Sequence, residues 1–230
     1  MTIENAILSS IPYDEQTRLM PHLSEMEIVP GMVLHASRGH VEHLYFLDDG
    51  LVSLAVPLLD GRAIEGVTIG REGAVGIHAL AWDGPSPASS IVHVRGRAKS
   101  LPVEVALDLL GDLPDFTRRL ARNASLQFEW ALQTAACNAA HSVRQRLAHW
   151  LLLFSDQTGT DRLALTHELL ATVLGVSCQQ LSVVANGMRR AGHIDYHHAH
   201  LVLTDRRALE SDACECYEIL SQQLRLVAAE

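Results

Sequence analysis

The chain has 230 residues, 48% hydrophobic and 20% charged, enough for one large domain or two small ones with a true core. Its formal net charge of −9 argues against non-specific coating of nucleic acid, but leaves specific DNA binding open, which needs only a local basic face. The longest apolar run, residues 147–154, is interrupted by His149 and too short to span a bilayer, and the N-terminus lacks a basic region followed by an apolar one, so a cytoplasmic protein with no membrane partner is expected.

Residues 1 to about 22 read as a short helical cap. From Met26 to Val105, short runs of Val, Ile and Leu are cut by turn signals: Pro30-Gly31, Asp48-Asp49-Gly50, Asp60-Gly61, Glu72-Gly73 and Asp83-Gly84-Pro85. Residues 43–47, 51–57 and 91–94 fit half-buried strands, and many short strands at regular spacing predict a β-barrel or roll. A short helix is expected over 102–110. Asp112-Leu113-Pro114 then has the form of a helix start, with Pro in the first turn, and nothing breaks that helix until about His141. Phe116, Leu120, Ala124, Ala131, Ala135 and Asn138 recur along it at spacings of three, four or seven. Such a narrow, Ala-rich stripe suits a symmetric partner helix, the competing reading being a helix laid on its own barrel. Ser142 reads as a hinge and N-cap. A helix is expected over 143–154, with Val143, Leu147, Trp150 and Leu151 on one face, then a turn over 156–161 and a strand over 163–165.

Residues 166–190 read as two short helices joined by a tight turn. Leu170, Leu174, Val176, Leu181 and Val184 would lock them together, Ala171 is small at the crossing, and Gly175 supplies the positive φ of the turn. Ser177 with Gln180 forms a capping box that starts the second helix. In register, these features predict a DNA-reading helix-turn-helix; an ordinary helical hairpin is the competing reading. Residues 177–191 carry Arg189 and Arg190 and no acid. The runs 192–196 and 201–203 predict a β-hairpin after the second helix, hence a wing, and the tail from Arg207 reads as helical. Gln179 can pair with adenine N6 and N7, Ser182 can meet a base or phosphate, and Val183 a thymine methyl. With Thr166, Ser177, Cys178, Gln180, Arg189, Arg190 and His198, these are the candidate DNA-binding residues; Gln179 and Gln180 also fit a role that only caps and solvates the helix.

The order of roll, long helix, hinge and winged helix resembles the CRP/FNR family of bacterial transcription regulators. The resemblance rests on Leu170-Ala171-x-x-Leu174-Gly175-Val176, on Arg190-Ala191-Gly192-x-Ile194 and on the apolar frame around the Gly turns of the roll. Tyr196, Asp205-Arg206 and the tail Ala213-Cys214-Glu215-Cys216-Tyr217 resemble a subgroup without a settled effector. The resemblance implies an α+β fold: an N-terminal β-roll of the cyclic-nucleotide-binding kind over 1–112, a dimerisation helix over 113–141 and a winged helix-turn-helix over 142–230. It also implies a homodimer on a palindromic double-stranded operator, with half-sites roughly 34 Å apart, and RNA polymerase as a partner. Relatives that bind cyclic AMP carry Gly-Glu and Arg-Ser pairs where this chain has Gly76-Ile77 and Ser89-Ser90, so the phosphate would lack its countercharge. Relatives with an iron–sulfur cluster draw its thiolates from an N-terminal cysteine group, whereas no cysteine precedes Cys137 here. Neither cofactor is expected. Cyclic-AMP-responsive relatives open the reading helix with Arg-Glu and place another Arg four residues after the Glu; Cys178, Gln179 and Val183 stand there instead, predicting a site unlike the GTGA-type half-site and richer in A·T. An Arg-Gly wing tip is replaced by His197-His198-Ala199-His200, so phosphate affinity is expected to rise as pH falls toward about 6.5.

Cys137, Cys178, Cys214 and Cys216 are expected as reduced thiols, and with no C-x-x-C pair a zinc site of the usual spacing is not indicated. His193, His197, His198 and His200, with Cys214 and Cys216 following, offer ligand types, but histidines on a surface hairpin are usually solvated; no metal is expected. Cys178, at a helix N-terminus, is either a thiol of lowered pKa or a small residue tolerated there. No G-x-S-x-G, Walker loop or H-E-x-x-H occurs, so an enzyme is not expected. The sequence therefore reads as a homodimeric, sequence-specific DNA-binding transcription regulator with a roll sensor of unknown effector. The alternative is a ligand-, metal- or redox-sensing roll protein with weak or lost DNA binding.

Overall fold

The structure, a computed structural model, describes residues 3–197 and 200–228, with the backbone alone at 197 and 228. Two compact units form. One holds the chain up to Pro57, Gly66–Ala131 and the end from Leu226; the other holds Leu58–Glu65 and Leu132–Arg225.

In the first unit, short helices α1 (Ala6–Ser9) and α2 (Tyr13–Leu19) precede β1 (Ser24–Ile28), β2 (Val33–His35), β3 (His43–Leu47), β4 (Leu51–Pro57), β5 (Ala63–Ile69), β6 (Ala74–Val75), β7 (Ser89–Val94) and β8 (Gly96–Pro102). They pair as two four-stranded sheets, ordered β1-β8-β3-β6 and β2-β7-β4-β5, the roll expected from the spacing of turns. At the β3–β4 turn, Gly50 has φ +88°, and a Cβ there would stand 2.7 Å from the Val94 carbonyl oxygen, so only Gly fits. Helix α3 (Val103–Leu109) leads to the long α4 (Pro114–Ala140). The N-terminus of α4 is held by an acid from α2: the Glu15 carboxylate accepts from the backbone N–H of Asp115 (3.0 Å) and Phe116 (2.8 Å), which suits the positive end of a helix.

One core joins Ile7, Leu8 and Leu19 to Leu44, Phe46, Leu101, Phe116 and Leu120, with the Phe46 and Phe116 rings 5.9 Å apart. This corrects the expected dimer stripe. Phe116 and Leu120 are interior to the subunit, because the first turns of α4 cover the roll and spend their apolar face there. Ala124 and Ala135 are exposed, and Ala131 and Asn138 half-buried, Asn138 accepting from the Arg146 guanidinium. The face left open runs Ala121, Ser125, Phe128, Leu132, Ala135 and Ala139, at alternating spacings of four and three; Phe128 is 64% and Leu132 55% exposed.

In the second unit, α5 (Val143–Thr158) starts at Ser142 with a complete capping box and ends at Gly159. It outruns its expected end because the first chain-reversing residue is Gly159, so the turn expected from Asp156 begins only there. Next come β9 (Arg162–Leu163), α6 (His167–Leu174), α7 (Cys178–Arg190), β10 (Ile194–His197), β11 (His200–Leu203), α8 (Arg206–Asp212) and α9 (Cys216–Ala228). The sheet β10-β11-β9 is antiparallel, with Ile194 opposite Leu203, and forms the wing. Among the described residues no single helix is long and apolar enough to cross a membrane.

Candidate nucleic-acid interface

Thr166 caps α6, its hydroxyl accepting from the Leu169 N–H at 3.2 Å. The chain reverses at Gly175, φ +62°, and α7 leaves at 105° to α6, within the range of a helix-turn-helix. Ser177 and Gln180 form the expected capping box, with Ser177 Oγ accepting from the Gln180 N–H at 3.2 Å and Gln180 Oε1 from the Ser177 N–H at 3.1 Å. Leu170, Ala171, Leu174 and Leu181 are buried as expected. Val176 and Val184 are only half-buried; Ala185 and Met188 complete the packed face of α7 in their place.

The opposite face of α7 is open. Gln179, Val183, Asn186 and Arg190 follow one another at spacings of four, three and four, with Cys178 and Arg189 beside them and no acid on the helix. Val183 is 68% exposed, a large apolar residue on a solvent face where nothing in its own unit needs it. Asn186 was not among the expected contacts, although its spacing from Gln179 and Val183 marks it. The other expected residues divide. Thr166, Ser177 and Gln180 are exposed but serve as caps. Ser182 is half-buried, its hydroxyl 3.4 Å from His167 Nδ1, and His167 Nε2 lies 2.9 Å from the Tyr196 hydroxyl on the wing. This chain of contacts ties α6, α7 and β10 together and turns Ser182 from the open face; burial pushes the Tyr196 phenol above its ordinary range. His198 and the wing-tip reading built on it lie outside the described residues.

His193 does not join the cysteines. Its Nδ1 is 2.8 Å from Asp212 Oδ2, which also accepts from Arg144 at 2.6 Å, so the ring pins α8 toward the start of α5. Cys214 and Cys216 instead meet Cys137, at the end of α4, with Cys137 Sγ 3.5 Å from Cys214 Sγ. The hydrogen bond shared by Cys137 and Cys214, helped by His149, pulls the Cys214 thiol below its ordinary range and pushes Cys137 upward. Burial raises Cys216. Cys178 is exposed, apart from this group.

In the roll, Gly76 (φ +91°) begins the short turn Ile77–Leu80 and Ser90 lies within β7. The Ser90 hydroxyl accepts from the His35 N–H at 2.8 Å and meets His35 Nδ1 at 2.9 Å, while the His35 ring stands 5.7 Å from that of His78. Of these positions, Ser90 therefore sits in a buried pair with the neutral imidazole of His35 on β2. Burial, with the charge of His78 second, lowers His35 to about 4, and burial lowers His93 to about 4. Between those values and the unfolded value of about 6.5, the unfolded chain binds more protons, so stability is full above 6.5 and is lost as pH falls toward 4. Allowing for solvent screening, the loss is on the order of 1 kcal/mol for each ring. Urea unfolding at pH 7.5 and pH 5 will show it, and the H35N H93N double variant will have the flatter pH slope.

Residues 145–211 match the family model of the Crp-like helix-turn-helix domain. Among solved structures, the chain is similar to a CRP-family transcriptional regulator from Thermus thermophilus, at 23% identity and a TM-score of 0.71 over 82% of this chain and 96% of that one. It is similar to CLP, the c-di-GMP responsive global regulator of Xanthomonas campestris, at 16% identity and a TM-score of 0.73 over 84% of this chain and 100% of that one. FixK2 from Bradyrhizobium japonicum matches at 16% identity and a TM-score of 0.70, over 84% and 98%. At these identities the likeness is one of fold. No curated protein sequence matches.

Proposed function

We propose that this chain, which has the fold of the CRP/FNR transcription regulators and carries a Crp-like helix-turn-helix domain, acts as a homodimer on a palindromic DNA operator. The observation that carries this reading is the acid-free open face of α7. Gln179 and Asn186 are amides, the side-chain type that pairs with adenine N6 and N7, and Val183 between them suits a thymine methyl. Arg189 and Arg190 supply charge toward phosphates. The half-site is therefore rich in A·T and differs from the GTGA type. The open stripe around Phe128 and Leu132 supports pairing of two α4 helices. The roll serves as the sensor. Ser90, at one of the phosphate positions of the resemblance, is paired with neutral His35, which supports an effector other than cyclic AMP, and RNA polymerase is the expected partner at the promoter.

Selection of binding sequences by the purified protein, followed by footprinting, tests this. The expected result is a palindrome with half-site centres about one DNA turn apart and an affinity that falls steeply with salt. Gln179→Ala will relax preference at one base pair per half-site at a cost of about 1–3 kcal/mol, whereas Arg190→Ala will weaken all sites alike and lower the salt slope by about 1 per subunit. Binding without sequence preference, or as tight to GTGA half-sites as to any selected sequence, rejects the reading. In that case the roll protein with lost DNA recognition takes its place.

A further inference from the structure

The second unit holds a cluster that DNA reading does not use. Cys137 and His141 lie four residues apart on the last turns of α4, hence on one face. Cys214 follows α8, and Cys216 opens α9, so the short connection between these helices brings two more sulfurs to the same point. One ring nitrogen of His141 and the three Sγ atoms all lie within 4.8 Å of one another, and His141 Nδ1 is 3.7 Å from Cys216 Sγ. The three cysteines are buried and His141 is half-buried.

We propose that Cys137, His141, Cys214 and Cys216 bind a single thiophilic divalent ion, zinc by ligand type, in a tetrahedral Cys3His site. Bond lengths near 2.3 Å to sulfur and 2.0–2.1 Å to nitrogen require tetrahedron edges of about 3.5–3.8 Å. The Cys137–Cys214 edge is 3.5 Å and the Cys216–His141 edge 3.7 Å, so two edges stand at working spacing, and every other ligand pair lies within 4.8 Å. The surroundings suit the bound form. His141 turns its other nitrogen, Nε2, to Glu215 Oε2 at 3.2 Å, which fixes the tautomer that leaves Nδ1 free to ligate. Gln133 Nε2 donates to Cys216 Sγ at 3.0 Å, and His149 Nδ1 lies 3.7 Å from Cys137 Sγ and 3.6 Å from Cys214 Sγ. The Gln133 N–H, together with His149 in the tautomer that protonates Nδ1, offsets thiolate charge, since three thiolates exceed the charge of one divalent ion. An iron–sulfur cluster spreads its thiolates over several irons, and a cage this tight fits one ion. Because His141 immediately precedes Ser142, the ion would fasten the end of α4 to the tail. Ion binding releases the thiol protons to solvent and needs no oxidant.

Full-length protein, prepared without air and reduced, tests the proposal by elemental analysis and by replacing the bound ion with cobalt(II). The expected result is one zinc or iron per chain, and a cobalt form with the charge-transfer and ligand-field absorption of tetrahedral thiolate coordination. Cys137→Ser, Cys214→Ser and Cys216→Ser will each weaken zinc at least 100-fold against a chelating dye, and Glu215→Gln, which only loses the orienting carboxylate, about 10- to 100-fold. Cys178→Ser will keep the full metal content. Wild-type protein that takes up less than 0.1 zinc per chain, or whose cobalt form lacks thiolate absorption, overturns the proposal without reliance on any variant's folding. So does polynuclear iron–sulfide absorption.

Discussion

Lys99→Met will destabilise the roll by about 3–5 kcal/mol, enough to unfold a domain of ordinary stability. Lys99 is the only lysine of the chain and is wholly buried, on β8 opposite Phe46 of β3. Its ammonium bonds the carboxylate of Asp48, which is 5% exposed. The other Asp48 oxygen accepts from the backbone N–H groups of Glu4 (3.1 Å) and Asn5 (3.3 Å), so the pair also stitches the N-terminal cap to the β3–β4 turn. Methionine keeps the apolar stem of the lysine but leaves the buried carboxylate without its direct ammonium partner. The D48N K99M variant removes both charges while Asn retains an oxygen for the two backbone donors. It will therefore be less destabilised than the sum of the single variants, by about 2 kcal/mol or more. Urea unfolding of the four proteins completes the cycle; strict additivity would show that the two charges do not depend on each other.

That pair illustrates what local pattern carries. The limits of β3 and β4, the start of α4 at Pro114, the cap at Ser142 and the turn at Gly175 were legible because each depends on residues within one turn or one strand. Lys99 with Asp48, and Glu15 with the start of α4, depend on chain partners about 50 and 100 residues away, and no periodicity reports them. The cysteine cluster is hidden for the same reason. Cys214-x-Cys216 was visible as a pair, but its partners Cys137 and His141 lie on another helix, and the nearer histidines of the wing drew the metal reading toward His193, which Asp212 occupies. On α7 the helical period was enough to find Gln179 and Val183 and would have found Asn186. It could not show that Ser182 turns inward, which requires His167 and Tyr196 in place.

On the proposed homodimer, the F128E L132E double variant is expected to be monomeric, and its affinity for the proposed operator to fall 10²- to 10⁴-fold. In a dimer the second half-site is met at the effective concentration set by the first, and a monomer loses that linkage without losing a single base contact. Both side chains are more than half exposed in the subunit, and Glu is a good helix former, so subunit stability should change by no more than about 0.5 kcal/mol. Two copies of α4 paired along this stripe would bring four carboxylates together with no cation on the stripe itself, whose members are Ala121, Ser125, Phe128, Leu132, Ala135 and Ala139. Leu120→Ala provides the contrast. Leu120 lies in the roll core, so its truncation costs about 2–5 kcal/mol of subunit stability, yet leaves the folded protein dimeric. Sedimentation velocity gives the assembly state, and unfolding curves give the stability. The two stripes on α4 differ by only one residue in register. If F128E L132E stays dimeric at micromolar concentration, the face left open by the fold is not the seam.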